Sequence, residues 1–278
     1  MTTYLYSFRS HLTLFFGYLF LTLSCGPRAF AQEGTYQLRG GLDIPLLAGG
    51  AAGVTASILL RDRREPLSLE DVDKLSVDDI LAFDGGGTNY SEGAAITSDV
   101  LVASSFASPL ALLAFDETRG DASTLGLIYL ETIMINEALT GITKALVKRP
   151  RPFAYNRNAP EAVRTNRTNN LSFFSGHTSH SAATSFFTAK TISDYVDCSG
   201  VRAVAWTGAI LLPAATGFFR YKAGKHFPSD VVVGYLVGAS VGILVPHLHK
   251  TDLEEGGNNA NSGSFPLVQE IFSVTLVF

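Results

Sequence analysis

The stretch Phe219-Arg220-Tyr221-Lys222-Ala223-Gly224-Lys225-His226-Phe227-Pro228-Ser229-Asp230 joins two apolar runs, Val201 to Phe219 and Val231 to His247. Both runs are long enough for a helix of several turns. Pro228 fits the first turn of a helix, where its missing N–H costs nothing. The reading is therefore helix, short polar turn, helix, with His226 at the mouth of the second. Asp230 follows four residues later, a spacing that would let its carboxylate reach Nδ1–H and leave Nε2 free. Cations beside a helix N-terminus attract anions, phosphate above all. The residues thus point to His226 as a nucleophile toward a phosphoryl group, oriented by Asp230.

Working outward, four more apolar helices are expected: Leu42 to Leu60, about Asp99 to Phe115, Ser123 to Val147, and His177 to Tyr195. The expectation is an all-α fold, a six-helix bundle. Short strand segments are expected at the termini, with Ile271 to Phe278 a candidate partner for Thr35 to Leu38. Ser68 and Ser76 look like N-caps of short helices. The run Gly85-Gly86-Gly87 reads as a turn, and Asp71, Asp73, Asp78 and Asp79 read as a solvated face.

The chain has 278 residues, of which 46% are hydrophobic and 17% charged, and its net charge is −4. The charged share is below the roughly 25% of an ordinary soluble protein, which indicates an apolar helical interior or membrane contact. An acidic chain of this kind is not expected to bind nucleic acid. Residues 1–31 resemble a secretory signal peptide. Arg9 provides the positive region, Leu12 to Leu23 the apolar one, and Ala29-Phe30-Ala31 a cleavage site. Residues 32–278 would then form a single domain with its core at about 42–249 and a polar C-terminal tail. Of the two cysteines, Cys25 falls in the signal. The processed chain would keep Cys198 alone, without an intramolecular disulfide or a cysteine-based metal site.

Two other stretches carry chemistry. Lys144 to Pro152 (KALVKRPRP) ends the third helix. Between residues 140 and 170 it contributes to seven basic residues against one acid, Glu161, a local excess that suggests an anion site. Phe173-Phe174-Ser175-Gly176-His177 opens the fourth helix. Gly176 allows close approach of an anion to the backbone, Ser175 adds a hydroxyl, and His177 can exchange a proton with a leaving oxygen. His180, His247 and His249 show no partner pattern. A His-only metal site built from His177, His180 and His226 lacks tight ligand spacing, so no metal is expected.

Taken together, Lys144-x6-Arg151-Pro152, Ser175-Gly176-His177 and Arg220-x5-His226-x3-Asp230 resemble the three-part signature of the type 2 phosphatidic acid phosphatase (PAP2) superfamily, which includes bacterial acid phosphatases and vanadium haloperoxidases. Phe174 and Phe219 depart from it, standing where the family usually has Pro and Ser. The resemblance implies a PAP2-type bundle over about Leu42 to His249. It implies that Lys144, Arg151 and Arg220 hold phosphate oxygens and that Ser175 and Gly176 complete the cradle. His226 would form a phosphohistidine, Asp230 would fix its tautomer, and His177 would protonate the alcohol and then activate water. The implied substrate is a phosphorylated lipid or a small phosphomonoester, and no cofactor is needed. The alternatives are a vanadate-dependent haloperoxidase, with vanadate as its cofactor, and a non-catalytic anion-binding bundle. Glu131, Glu137, Lys190 and Asp194 on the third and fourth helices are costly in lipid. The expected location is therefore exported, periplasmic or membrane-associated through Leu42 to Leu60, with an integral membrane protein as the alternative.

Overall fold

The computed structural model describes residues 35–251; the expected signal peptide, the tail and the Ile271 to Phe278 segment lie outside them. The fold is all-α. Its long helices are α1 (Gly40–Asp62), α3 (Glu92–Phe106), α5 (Ala122–Val147), α8 (Gly176–Tyr195), α9 (Ser199–Lys222) and α10 (Pro228–Leu248). Short helices α2 (Leu69–Asp73), α4 (Asp116–Arg119), α6 (Pro152–Tyr155) and α7 (Glu161–Arg164) lie between them, so the bundle has more elements than six. No strand forms among the described residues. Tyr36 makes an isolated antiparallel bridge with Lys250, and Gln37 N donates to His249 O at 2.8 Å. The N-terminal arm thus pairs with the end of α10, where a terminal strand had been expected.

Local chemistry sets the helix ends. The Ser68 hydroxyl accepts from Asp71 N and the Asp71 carboxylate accepts from Ser68 N, a capping box that starts α2. Ser91 caps α3, which starts seven residues earlier than expected. That helix also ends early, at Phe106, and the chain continues as a 3-10 segment, Ser108–Ala114, with Pro109 at its start. Lys148 adopts a left-handed conformation and stops α5 two residues before Pro150. Helix α9 continues through Lys222, so Arg220 projects from its last turn.

Helix α8 is the central element, with thirteen of its twenty residues buried. Its Ser, Thr and Ala side chains are small, and α10 lies against it through a glycine stripe. A Cβ at Gly238 would fall 2.1 Å from the Ser179 carbonyl oxygen, and one at Gly234 would fall 2.5 Å from that of Ser175. Only glycine allows this approach, which is what brings the start of α10 against the start of α8. Gly50 faces Met134 and Gly53 faces Ala138, so α1 and α5 run side by side in the same direction. Asn136 meets Ser179 while Thr140 meets Gly176, and Thr216 meets Ser181 while Gly217 meets Thr178, so α5 and α9 run antiparallel to α8. The long helices therefore alternate in direction. One end of the bundle gathers the C-termini of α5 and α9 with the N-termini of α8 and α10. The other end holds the N-terminal arm and residues 249–251.

The surface is apolar over much of its area. Helices α1, α5, α9, α10 and the α3 region each contain a segment long and apolar enough to cross a membrane. Only 17% of that segment in α1 is buried inside the protein. Cys198 is disulfide-bonded, against the expectation of an unpaired cysteine; the sequence's other cysteine, Cys25, lies outside the described residues.

Candidate phosphate site

The end that gathers the four helix termini carries the residues singled out from the sequence. Lys144, on the last turn of α5, is buried, and its Nζ donates to Leu171 O at 2.9 Å and approaches Ser172 O at 3.5 Å. Gly176 packs beside it: a Cβ there would lie 3.6 Å from Lys144 Cε. Arg151 is anchored by Nε on Thr168 O at 2.9 Å and by a terminal nitrogen on Lys225 O at 3.1 Å. Arg220 donates to Ser98 Oγ and Asp99 Oδ1, each at 3.2 Å. Its Nε is buried and has no partner among the described residues. An orphaned guanidinium donor of this kind is costly, and an anion oxygen would satisfy it. The Ser175 hydroxyl caps α8 by accepting from Thr178 N, and Ser175 N donates to Asp230 O at 2.9 Å.

His226 is almost wholly buried, and its Nδ1 lies 2.7 Å from Ser172 O. A carbonyl can only accept, so Nδ1 carries the hydrogen and the lone pair is on Nε2. Burial, and then the charges of Lys144, Arg151 and Arg220, hold this imidazole well below its ordinary range. Those three cations converge on His226, although they come from three different segments.

The direct bond expected between Asp230 and His226 is not made. Asp230 Oδ2 lies 3.8 Å from His226 Nδ1 and instead accepts from Phe227 N at 2.8 Å and from the Ser172 hydroxyl. The four-residue rule requires both residues on one helix, but α10 starts at Pro228, so His226 precedes it. The Asp230 carboxylate turns back to cap the helix. Its link to His226 runs through Ser172, whose hydroxyl binds Asp230 and whose carbonyl binds the imidazole.

His177 Nε2 lies 2.8 Å from Asp99 Oδ1, the same oxygen that Arg220 binds. Proton delivery from this nitrogen to a leaving oxygen requires that bond to be exchanged. His180 is turned away, with Nδ1 on Gly176 O and Nε2 on Glu137. His177, His180 and His226 therefore do not form one ligand set.

Several residues of the site escaped sequence reasoning. Arg149 was counted only as one of a basic cluster. It donates to Asp230 Oδ1 at 2.6 Å, Ser229 Oγ at 2.8 Å and Asp84 Oδ2 at 2.7 Å, and lies over the Phe227 ring. Asp84, the residue before the glycine turn, is fully buried and also accepts from Ser229 N. Burial alone would raise its carboxyl, but Arg149 and the two Ser229 donors outweigh that and hold it below the usual range. Asp99 and Ser172 gave no signal beyond being polar.

Residues 125–254 match the family model of the PAP2 superfamily. The match spans all eight residues named above for catalysis and phosphate binding, and over this segment the chain belongs to the superfamily. No curated protein and no solved structure matches the chain. Membership supports phosphoester hydrolysis as the broad activity.

Replacing Arg149 by Ala should destabilise the protein by about 3–5 kcal/mol, since it leaves Asp84 and Asp230 buried without their cation. Denaturant unfolding of the purified protein measures this. A loss under about 1 kcal/mol, the range of an exposed ion pair, would contradict the bridge.

Proposed function

We propose that the protein is a metal-independent phosphatase that hydrolyses a phosphomonoester or pyrophosphate through a phosphohistidine on His226. The observation that carries this is the convergence of Lys144, Arg151 and Arg220 on a buried imidazole whose Nδ1–H is already committed to Ser172 O. Nε2 is then the attacking atom. The three cations, with the amides at the start of α8, neutralise the charge that spreads over the phosphoryl oxygens in the transition state. Arg220 Nε supplies a donor that has no other partner among the described residues. Asp230 acts through Ser172, holding its position and so the orientation of the imidazole. His177 protonates the leaving oxygen and afterwards draws a proton from the water that cleaves the phosphohistidine. Each step balances: the P–O bond of the ester is exchanged for P–N, then P–N for P–O of water.

The substrate we infer is a phosphorylated lipid, because the same chain is built for a bilayer. Ile44, Ile96, Val100, Leu110, Leu211 and Leu236 are each more than half exposed. An apolar surface spread over five helices far exceeds the patches that soluble monomers tolerate. Lipid removes that cost, while the polar Glu131 and Glu137 lie on α5 against protein neighbours, buried or partly so. This moves the proposal from the exported bundle favoured by the sequence to its integral alternative.

Replacing His226 by Ala should abolish phosphate release and trapping of radiolabelled phosphate on the protein. Replacing His177 by Ala should lower turnover by about 10²–10⁴-fold while labelled protein still accumulates. A labelled His226→Ala protein would refute the assignment.

The low affinity of His226 for protons fixes a pH dependence. Its neutral, nucleophilic form persists below the ordinary imidazole value of 6.5, so the acid limb of kcat/KM should lie below pH 6.5. A limb at or above that value, lost in no other variant, would contradict the buried cationic environment.

Cell fractions provide the membrane test. The protein should stay with the membranes after an alkaline carbonate wash and should require detergent for extraction. Release by carbonate would return the protein to the peripheral reading.

A further inference from the structure

A second cluster lies at the end of the bundle opposite His226. It joins Asp43 in the first turn of α1, Glu131 in α5 and His249 just past α10, and one ligand atom from each lies within 4.8 Å of the other two. Glu131 and His249 are completely buried, and Asp43 is nearly so. Thirteen residues of helix separate Glu131 from Lys144, which is about 20 Å along α5. The cluster is therefore separate from the phosphate site.

Its hydrogen bonding is unbalanced. His249 Nδ1 lies 2.8 Å from Val245 O, so Nδ1 carries a hydrogen. Nε2 then faces two carboxylates, with Asp43 Oδ1 at 2.8 Å and Glu131 Oε2 at 3.1 Å. A bare lone pair cannot sit against two anions, so a positive charge must lie between them. A proton on Nε2 would serve only one oxygen, and the geometry gives that bond to Asp43. The Glu131 contact has an ion-pair distance without hydrogen-bond geometry, and both its oxygens lack a hydrogen-bond partner among the described residues. One buried carboxylate would remain unneutralised, which is costly.

We propose that Asp43, Glu131 and His249 form a buried binding site for one divalent transition-metal ion, zinc or manganese in type. Two carboxylates and one neutral imidazole balance a 2+ charge. Imidazole nitrogen with carboxylate oxygen is a donor set for such ions. The Nδ1–H bond to the Val245 carbonyl supplies the outer contact that fixes a ligating imidazole and directs Nε2 at the metal. The ligands come from the first helix, the middle of the chain and the end of the last helix. The ion therefore clamps the start of α1 and residue 249 to α5, and its role is structural.

The test uses the full-length protein purified in detergent, with zinc and manganese measured by elemental analysis. About one equivalent per chain is expected, retained in His226→Ala and lost in both Glu131→Gln and Asp43→Asn. Stripping with a chelator should lower the melting midpoint of the wild-type protein, and added zinc or manganese should restore it. Cobalt added to stripped protein should give the visible d–d bands of a nitrogen–oxygen site. These wild-type readouts hold even where a variant fails to fold. Wild-type protein with under about a tenth of an equivalent, no thermal shift with either metal and no cobalt bands would overturn the site, as would full metal content in both carboxylate variants. That result would instead mean that Glu131 is neutralised by a proton.

Discussion

Arg149 is the residue on which the phosphate end of the molecule depends. Asp84 and Asp230 are both fully buried, come from segments far apart in sequence, and would repel one another in a medium of low dielectric. The guanidinium forks between them, one nitrogen on each carboxylate, and its face covers Phe227. Lysine could not replace it, because the geometry uses two separate donor nitrogens on a planar group. This one cation joins the turn before α3, the end of α5 and the start of α10. From Asp230 the order passes to the Ser172 hydroxyl, and from the Ser172 carbonyl to His226. The imidazole is thus held at the end of a chain of polar contacts whose charge is balanced at its root.

That arrangement explains a division of labour among the arginines and the lysine. Arg149 is saturated by its own carboxylates and neutralises the scaffold. Lys144 and Arg151 are tied mostly to backbone carbonyls, which accept hydrogen bonds without cancelling charge. Their positive charge is left to act on whatever anion enters. Arg220 differs again, since Asp99 offsets part of its charge while its Nε has no partner among the described residues. A phosphoryl group would compete with Asp99 for the same guanidinium and for His177. Entry of the substrate and release of His177 from Asp99 are then parts of one exchange.

Much of this could be read from the sequence, and the division follows the range of the interactions. The helices were legible because apolar periodicity, Pro228 and the serine caps are local signals. The ends of α3 and α9 were misjudged because a cap at Ser91 and the continuation past Phe219 depend on a few polar residues inside apolar runs. The site residues were legible as three short motifs, each at a helix end. What could not be read was how the motifs engage one another. Arg149 and Asp84 are separated by 65 positions, and Arg220 and Asp99 by 121. The one side-chain geometry inferred from spacing, Asp230 to His226, failed because the helix begins between them.

The same reasoning separates the two ends of the bundle. At the phosphate end an excess of positive charge is buried close to one imidazole, which suits an incoming anion. At the other end two carboxylates are buried against one imidazole, an excess of negative charge that suits a cation. Neither excess is tolerable in an apolar bundle without a ligand or a proton, and the alternating helices hold the two about 20 Å or more apart. Histidine takes opposite parts in them. His226 has its Nδ1–H on a carbonyl and sits among cations; His249 has its Nδ1–H on a carbonyl and turns Nε2 toward carboxylates. The same kind of backbone anchor would thus serve a nucleophile in one proposed setting and a metal ligand in the other, and what separates them is the sign of the charges around each ring.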